Sequence, residues 1–227
     1  MKSKILFVLI AVILCNGYSD AQSTPKISFH PIFGNSPLRL DDSCYTTDSI
    51  YISNFKCYLS GIEFLNNDSG VWKEANSYHL LDASDNKSLY IFLSSPSNLK
   101  FTKIKFNLGI DSITNVSGAM GGDLDPTKGM YWTWQNGYIN MKLEGKSKLC
   151  KTRNNEFQFH LGGYQNGDNA LQTIMLNVLD NEKIDILIDI EKFVAAIDLA
   201  KQNQIMSPGK EAVLLSEKFS KIFSVQQ

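Results

Sequence analysis

The feature that most constrains the fold is a repeated alternation of apolar and polar residues in short segments. Segments such as KISFHPIF, KFTKIKFNLGI, YINMKLEG and EFQFHLGG carry apolar side chains at every second position, which is the periodicity of a strand with one buried face. Polar turn residues fill the intervals, as in SSPSN, NNDSG and NGDN. This pattern predicts a mostly β protein built as an antiparallel β-sandwich.

The C-terminal part of the sequence changes to a helical period. The stretch IEKFVAAIDLA, residues 190–200, carries apolar residues at the spacing of one helix face. Ser207 and Pro208 precede KEAVLLSEKFSKIF and have the residue types of an N-cap and a first helical position. We therefore expect one or two short C-terminal helices within a single domain over residues 22–227.

The N-terminus resembles a secretory signal peptide over residues 1–21. A short basic start is followed by apolar residues 5–14, which are too few to span a bilayer, and small residues then mark a cleavage site after Ala21. The mature protein is therefore expected to be exported, to the periplasm or the outside of the cell, and not to be transmembrane. A lipid anchor would use Cys15, but Leu14 stands where lipidation favours a small residue.

Cysteine usage and net charge narrow the functional classes. Without the signal peptide the chain keeps Cys44, Cys57 and Cys150. Cys57 lies in a strand-like run and is expected to be a buried thiol, whereas Cys44 and Cys150 lie in loops and are the preferred disulfide pair of an exported protein. A formal net charge of -1 gives no electrostatic footprint for nucleic acid. The chain has no hydrolase or metalloprotease motif, so we do not expect an enzyme.

The run GMYWTWQNGY, residues 129–138, concentrates two of the three tryptophans of the chain. If it is extended, Met130, Trp132 and Trp134 lie on one face and Tyr131 on the other. The run follows a glycine-rich loop, GAMGGDLDPTKG, so the aromatic residues begin at a rim, where binding sites are commonly built. Three interpretations stay open here: a core strand, a platform that stacks on a ligand, and a metal or redox site.

The histidines are few, and their positions differ in character. His160 points away from the phenylalanine face of EFQFHLGG and precedes a glycine pair, while His30 lies at a strand end before a proline. These two are candidate ligands, whereas His79 lies among apolar residues and is expected to be structural. Asp123 and Asp125 in the glycine-rich loop supply only two carboxylates, fewer oxygens than calcium requires, so a plain turn is the preferred interpretation there.

Several of these motifs together resemble the MbnP-like family of exported copper-binding proteins. The resemblance rests on Met130, Trp132 and Trp134, then Gly137, Tyr138 and Lys142, then His160, Leu161 and Gly162, with KIKFNLGID upstream. It implies a β-sandwich with a surface copper site, in which histidines act with a tryptophan that a dihaem peroxidase-like partner has oxidised to kynurenine. The kynurenine amine adds a nitrogen donor, because the indole N–H can only donate.

For this chain we predict a copper site formed by His160, His30 and Met130 near Trp132 or Trp134, with His30 in place of the histidine of the family pattern. Imidazole and thioether groups both suit copper. The functional prediction is therefore an exported copper carrier or copper-sequestering protein.

The sequence departs from the family pattern at two places. Copper-binding relatives carry an Asn-His pair after the Leu-Gly-Val segment, where this chain has Asn115 and Val116, and they carry one more cysteine than the mature chain. The alternative function is a metal-free binding module. Its aromatic rim of Trp132, Trp134 and Tyr131 would stack on a glycan or a peptide.

Overall fold

The structure is a computed structural model that describes residues 25–40, 45, 49–96, 98–179 and 183–226. Strands predominate in these ranges, which confirms the predicted mostly β class. The strands are β1 Lys26–Phe33, β2 Ser36–Pro37, β3 Tyr51–Asn66, β4 Ser69–Lys73, β5 Tyr78–Asp82, β6 Tyr90–Phe92, β7 Lys103–Leu108, β8 Tyr131–Trp132, β9 Gly137–Lys146, β10 Glu156–Gly162, β11 Gln172–Asn177, β12 Lys183–Asp189, β13 Gln204–Ile205 and β14 Phe223–Val225. The α-helices are α1 Ser112–Val116, α2 Ile190–Ala195 and α3 Lys210–Ser220.

The strands form two sheets. The five-stranded sheet has the order β14-β12-β1-β2, and β6 also pairs with β1. The nine-stranded sheet has the order β11-β7-β3-β9-β10-β13, with β4 and β5 paired to β3 and β8 paired to β9. Most neighbours are antiparallel, as the sequence predicts. However, β1 runs parallel to β12 and β10 runs parallel to β13, so both sheets are mixed.

The long strand β3 determines the curvature of the nine-stranded sheet. Its first part pairs with β9 and its second part pairs with β7. The register shifts between Ser60 and Glu63, and Gly61 within this shift has a φ of 62°. Glycine adopts this left-handed conformation without the steric penalty of a Cβ, so the strand bends there and the sheet curls.

The central core lies between the two sheets. Phe29 of β1 and Phe106 of β7 meet edge to face at 6.1 Å between ring centroids, which joins the sheets directly. Phe219 of α3 packs against Phe55, Phe193 and Phe223, so the third helix closes one side of the core. Burial of these apolar side chains is the main force that holds the sheets together.

A second, smaller apolar cluster covers the opposite face of the nine-stranded sheet. Residues 109–130, which connect β7 to β8, fold over this face. Tyr138 of β9 holds the connection, because its hydroxyl donates to the carbonyl of Leu124 at 3.1 Å and accepts from the amide of Met120 at 3.0 Å. We call this group the outer cluster; it consists of Tyr58, Leu80, Ile110, Leu124, Met130, Trp132, Tyr138 and Ile139.

The C-terminal helices exist but their bounds differ from the sequence prediction. The second helix ends at Ala195, where the prediction extended to residue 200. The third begins at Lys210 after Gly209, not at Ser207 and Pro208. Gly209 has a φ of 151°, a conformation that separates the proline from the helix and that glycine tolerates.

Several sequence predictions fall on residues outside the described ranges. These are the signal peptide over residues 1–21, the lipid anchor at Cys15, and Cys44. Cys57 is fully buried, as expected, and Cys150 is buried as well. The pairing of Cys44 with Cys150 stays a prediction. Among the helices that the structure describes, none is long and apolar enough to cross a bilayer.

Candidate functional site

The run GMYWTWQNGY forms a short hairpin, not the continuous strand that the alternation predicts. Only Tyr131 and Trp132 are in β8, and they pair with Tyr138 and Gly137 of β9. Residues 133–136 form the turn, and Asn136 has a φ of 51°, which asparagine tolerates better than most residues. Alternation of faces therefore stops at the turn.

The hairpin gives its large side chains different environments. Met130 is fully buried in the outer cluster and Trp132 is 7% exposed, whereas Trp134 on the turn is 64% exposed. The two indole rings remain neighbours, with centroids 5.9 Å apart at an angle of 48°. The structure thus combines two of the three interpretations that the sequence left open: Met130 and Trp132 belong to a small core, and Trp134 is free to contact a ligand.

Trp132 lies against the end of β10 that follows His160. A Cβ atom on Gly162 would be 2.7 Å from Cζ3 of Trp132 and 2.6 Å from the carbonyl oxygen of Tyr138. Any larger residue at position 162 would therefore collide with the indole ring or the backbone. This close approach explains why a glycine follows the His-Leu pair. The indole of Trp132 thus packs against Gly162, which lies two residues after His160 on the same strand.

His160 lies on the outward face of the nine-stranded sheet, as the alternation in EFQFHLGG predicts. Phe157 and Phe159 enter the central core, while the Nε2 atom of His160 lies 2.6 Å from Oε1 of Glu144 on the neighbouring strand β9. The other carboxylate oxygen of Glu144 accepts a hydrogen bond from Asn54 at 3.0 Å. Glu144 thereby fixes the orientation of the imidazole, and Asn54 fixes the orientation of Glu144.

The pKa values of this pair favour a neutral imidazole beside an ionised carboxylate. Burial lowers the pKa of His160, and the Lys142 ammonium adds to this effect, while the hydrogen bond to Glu144 opposes it. Burial alone would raise the pKa of Glu144, but hydrogen bonds from His160 and Asn54 outweigh it, so this pKa is lowered. A neutral histidine that donates one N–H to a carboxylate keeps a lone pair on its other nitrogen, as metal-binding histidines do.

His30 lies on a different surface of the molecule. Its neighbour Phe29 enters the central core, so His30 points outward from the five-stranded sheet, where its Nε2 atom is 2.9 Å from Oδ1 of Asp185. His160 points outward from the nine-stranded sheet. Because the core lies between the two sheets, the structure does not bring His30 and His160 together. His79 bonds Glu74 at 2.7 Å, a structural contact of the expected kind.

Asn115 and Val116, where the resemblance implies an Asn-His pair, lie at the rim beside the hairpin. Asn115 is buried and bonds three backbone groups, including the amide of Tyr138 at 2.8 Å. The next residue, Val116, is 74% exposed and lines a recess of about 560 Å³ together with Tyr131 and Tyr164. The Asn115 contacts thus fix residue 116 at the edge of the hairpin.

The described residues do not form a complete copper site in their unmodified state. They contain no group of three or more histidine, cysteine, aspartate or glutamate side chains that could hold a metal ion. Near the hairpin they offer the imidazole of His160 and the buried thioether of Met130, and an indole is no ligand. The two aspartates of the glycine-rich loop are engaged within the protein: Asp123 contacts Lys128 and the amide of Leu80, and Asp125 caps its own turn.

Sequence reasoning missed the residues that orient the imidazole. Glu144 and Asn54 are polar residues on the outward faces of β9 and β3, so alternation indicates that they avoid the core. It does not indicate which residue of a neighbouring strand they oppose. Tyr164, which follows β10 and lines the rim, was also missed, and its only signal was its position after the Gly162-Gly163 pair.

Fold and site together define a class: a two-sheet, mostly β protein with an oriented histidine and a tryptophan pair at one edge of the larger sheet. The family model that matches residues 22–207 is MbnP, and the chain therefore belongs to the MbnP family. Among solved structures the chain is similar to MbnP from Methylosinus trichosporium, with a TM-score of 0.62 and 13% identity over 84% of this chain and 86% of the other. At this identity the likeness concerns the fold alone. The comparison with curated proteins gives no match.

Proposed function

We propose that this protein is an exported copper-binding protein that carries or sequesters the ion and is not an enzyme. Two findings support the proposal: the chain belongs to the MbnP family, and Glu144 orients the imidazole of His160 at 2.6 Å on the sheet beside the tryptophan hairpin. The second finding carries it, because a fixed imidazole with a carboxylate behind it is the arrangement that metal-binding histidines use.

The roles in this proposal follow from the placement of each group. His160 is the protein ligand and Glu144 orients it. A further nitrogen donor is supplied by oxidation of Trp132 or Trp134 to kynurenine by a dihaem peroxidase-like partner. Trp134 is the exposed member of the pair and Trp132 is the member that lies against β10. His30 is on the other surface and is left out of the proposed ligand set.

Copper uptake by single-histidine variants tests the proposal. Protein purified from its native host, where the modifying partner is present, is expected to take up about one copper ion per chain, as a single-site protein does. His160→Ala should abolish this uptake. His79→Ala is the matched control, because His79 of the same sheet also bonds a carboxylate, and His30→Ala tests the second predicted ligand.

The outcomes separate the two parts of the proposal. Uptake that survives His160→Ala would end the proposed ligand role, and uptake lost in His30→Ala would restore the ligand set predicted from the sequence. Intact-mass measurement of the same samples detects kynurenine as a gain of about +4 mass units, because oxidative ring opening adds two oxygens and loss of the formyl group then removes CO. An unmodified mass together with copper uptake would remove the tryptophan from the ligand set.

A second candidate function is supported by the exposure of Trp134. This indole lines a recess of about 170 Å³ together with Tyr164, Gln165 and Asp168. Exposed aromatic rings flanked by amide and carboxylate groups suit the stacking and hydrogen bonding of a sugar ring. Binding on a glycan array that is lost in Trp134→Ala would favour this function. An array without a hit, together with copper uptake, would decide against it.

A further inference from the structure

Two lysines lie side by side on the sheet face that carries His160. Lys56 of β3 is the cross-strand partner of Lys142 of β9, and Lys142 is in turn the partner of His160 on β10. Cross-strand partners point to the same face, so the three side chains form a row across three strands. The two lysines are half-buried, whereas most lysines of a sheet surface extend into solvent.

Both ammonium groups donate to the backbone that leads into the hairpin. The Nζ atom of Lys142 donates to the carbonyl of Gly129 at 2.5 Å, and that of Lys56 donates to the carbonyl of Lys128 at 3.4 Å. These two carbonyls belong to consecutive residues directly before Met130. Gly129 has a φ of 74°, so the chain reverses there with the help of a conformation that favours glycine.

The partners of the two lysines make them fixed anchors. Lys56 also forms an ion pair with Asp82 of β5 at 2.8 Å, which ties its ammonium to a third strand. Burial lowers the pKa of Lys142, which marks an ammonium held partly out of water, and the nearby carboxylate of Glu144 opposes this shift. A charge-assisted hydrogen bond in such surroundings is stronger than one on the open surface.

The hairpin needs anchors of this kind because its own pairing is short. β8 has two residues, and beyond its ladder the carbonyl of Met130 accepts from the amide of Ile139 at 2.9 Å. Apolar packing in the outer cluster is not directional. It does not by itself fix the position of Met130 and Trp132 along strands β9 and β10. The two lysines are fixed on the sheet, and their hydrogen bonds to residues 128 and 129 fix that position.

We propose that Lys142 and Lys56 are positioning residues, which hold the backbone of residues 128–129 and thereby set where Met130 and Trp132 lie relative to His160. The role of this placement in copper binding rests on the proposed function. The placement itself can be measured without copper.

Hydrogen exchange of the metal-free protein tests the placement. In Lys142→Met, which keeps the apolar stem and removes the donor, amides of residues 130–139 should exchange at least about tenfold faster than in the wild type, the effect of losing one charge-assisted hydrogen bond. Lys142→Arg, which restores a charged donor, should return exchange toward the wild-type rate. The matched control is Lys105→Met on β7 of the same sheet, which removes an ion pair with Glu63 and leaves the hairpin untouched.

Copper titration of the same variants then separates this inference from the proposed function. Weaker binding in Lys142→Met with recovery in Lys142→Arg supports the positioning role, and unchanged affinity despite faster exchange overturns it. Unchanged exchange in a folded Lys142→Met overturns the anchoring itself. If the wild type takes up no copper but the exchange result holds, the proposed function fails and the anchoring stands. Lys142→Gln, which is polar but too short to reach, replaces Lys142→Met if the latter does not fold.

Discussion

Two substitutions of Met130 distinguish its contribution to packing from its predicted role as a copper ligand. Its side chain is fully buried in the outer cluster, between the β7–β8 connection and the sheet. Met130→Ala leaves a cavity, and large-to-small changes of this kind cost about 2–5 kcal/mol of unfolding free energy. For a domain of this size each kcal/mol lowers Tm by about 2–4 °C, so a fall of roughly 4–20 °C is expected. Met130→Leu keeps the volume and should cost less than about 1.5 kcal/mol.

The assay measures urea and thermal unfolding of each variant by circular dichroism. Each variant is also titrated with copper. Met120→Ala is the matched control, because Met120 is 46% exposed and its truncation leaves no enclosed cavity. Met130→Leu removes the thioether and keeps the packing, so a loss of copper affinity without a loss of stability would assign Met130 as a ligand. If Met130→Ala is no more destabilising than Met120→Ala, the outer cluster is not packed as described.

Two further predictions concern the segment around α1. Val116→His adds an imidazole on the rim, where the resemblance implies a histidine, and should raise copper affinity in titrations of the modified protein; an unchanged affinity would show that residue 116 does not reach the ion. Asp111 caps α1 and accepts a bond from Tyr78, and although burial opposes it, the net effect of its hydrogen bonds is a lowered pKa. The folded state therefore gains stability from this carboxylate above its unfolded pKa and loses it as pH falls, so Asp111→Asn should cost about 1 kcal/mol at pH 7 and progressively less below about pH 4. A pH-independent difference in urea midpoints would contradict this.

The fold class could be predicted from the sequence because strand alternation is a local property. Each apolar-polar segment predicts its own buried face, and the central core confirms those faces for Phe29, Phe106 and Phe159. Pairing partners are not local, so the parallel pairs β1–β12 and β10–β13 could not be predicted. The start of α3 was missed because Ser207 and Pro208 have the right residue types for a helix start, but Gly209 adopts a φ of 151° between them and the helix.

The candidate site was predictable only in part, because alternation within a strand is local and pairing between strands is not. The outward direction of His160 follows from alternation within one strand, whereas its contact with Glu144 depends on the register between β9 and β10. Alternation also failed locally, because it assumes an extended chain and the hairpin turns directly after Trp132. Trp134 is therefore exposed while Trp132 is buried, although the two are separated by one residue.

The placement of His30 shows how a correct local inference gives a wrong combination. Alternation puts His160 on the outward face of its strand, in agreement with the structure, and His30 also points outward from its own sheet. The rule does not say that the two strands belong to different sheets. When two sheets share one core, outward residues of one sheet lie on the far side of the molecule from outward residues of the other. The proposed copper site at His160 therefore takes its further donors from the hairpin beside it, from Met130 or a modified tryptophan. The Met130→Leu titration tests a donor from the hairpin, the Val116→His titration tests whether the rim lies within reach of the ion, and His30→Ala tests the donor on the other surface.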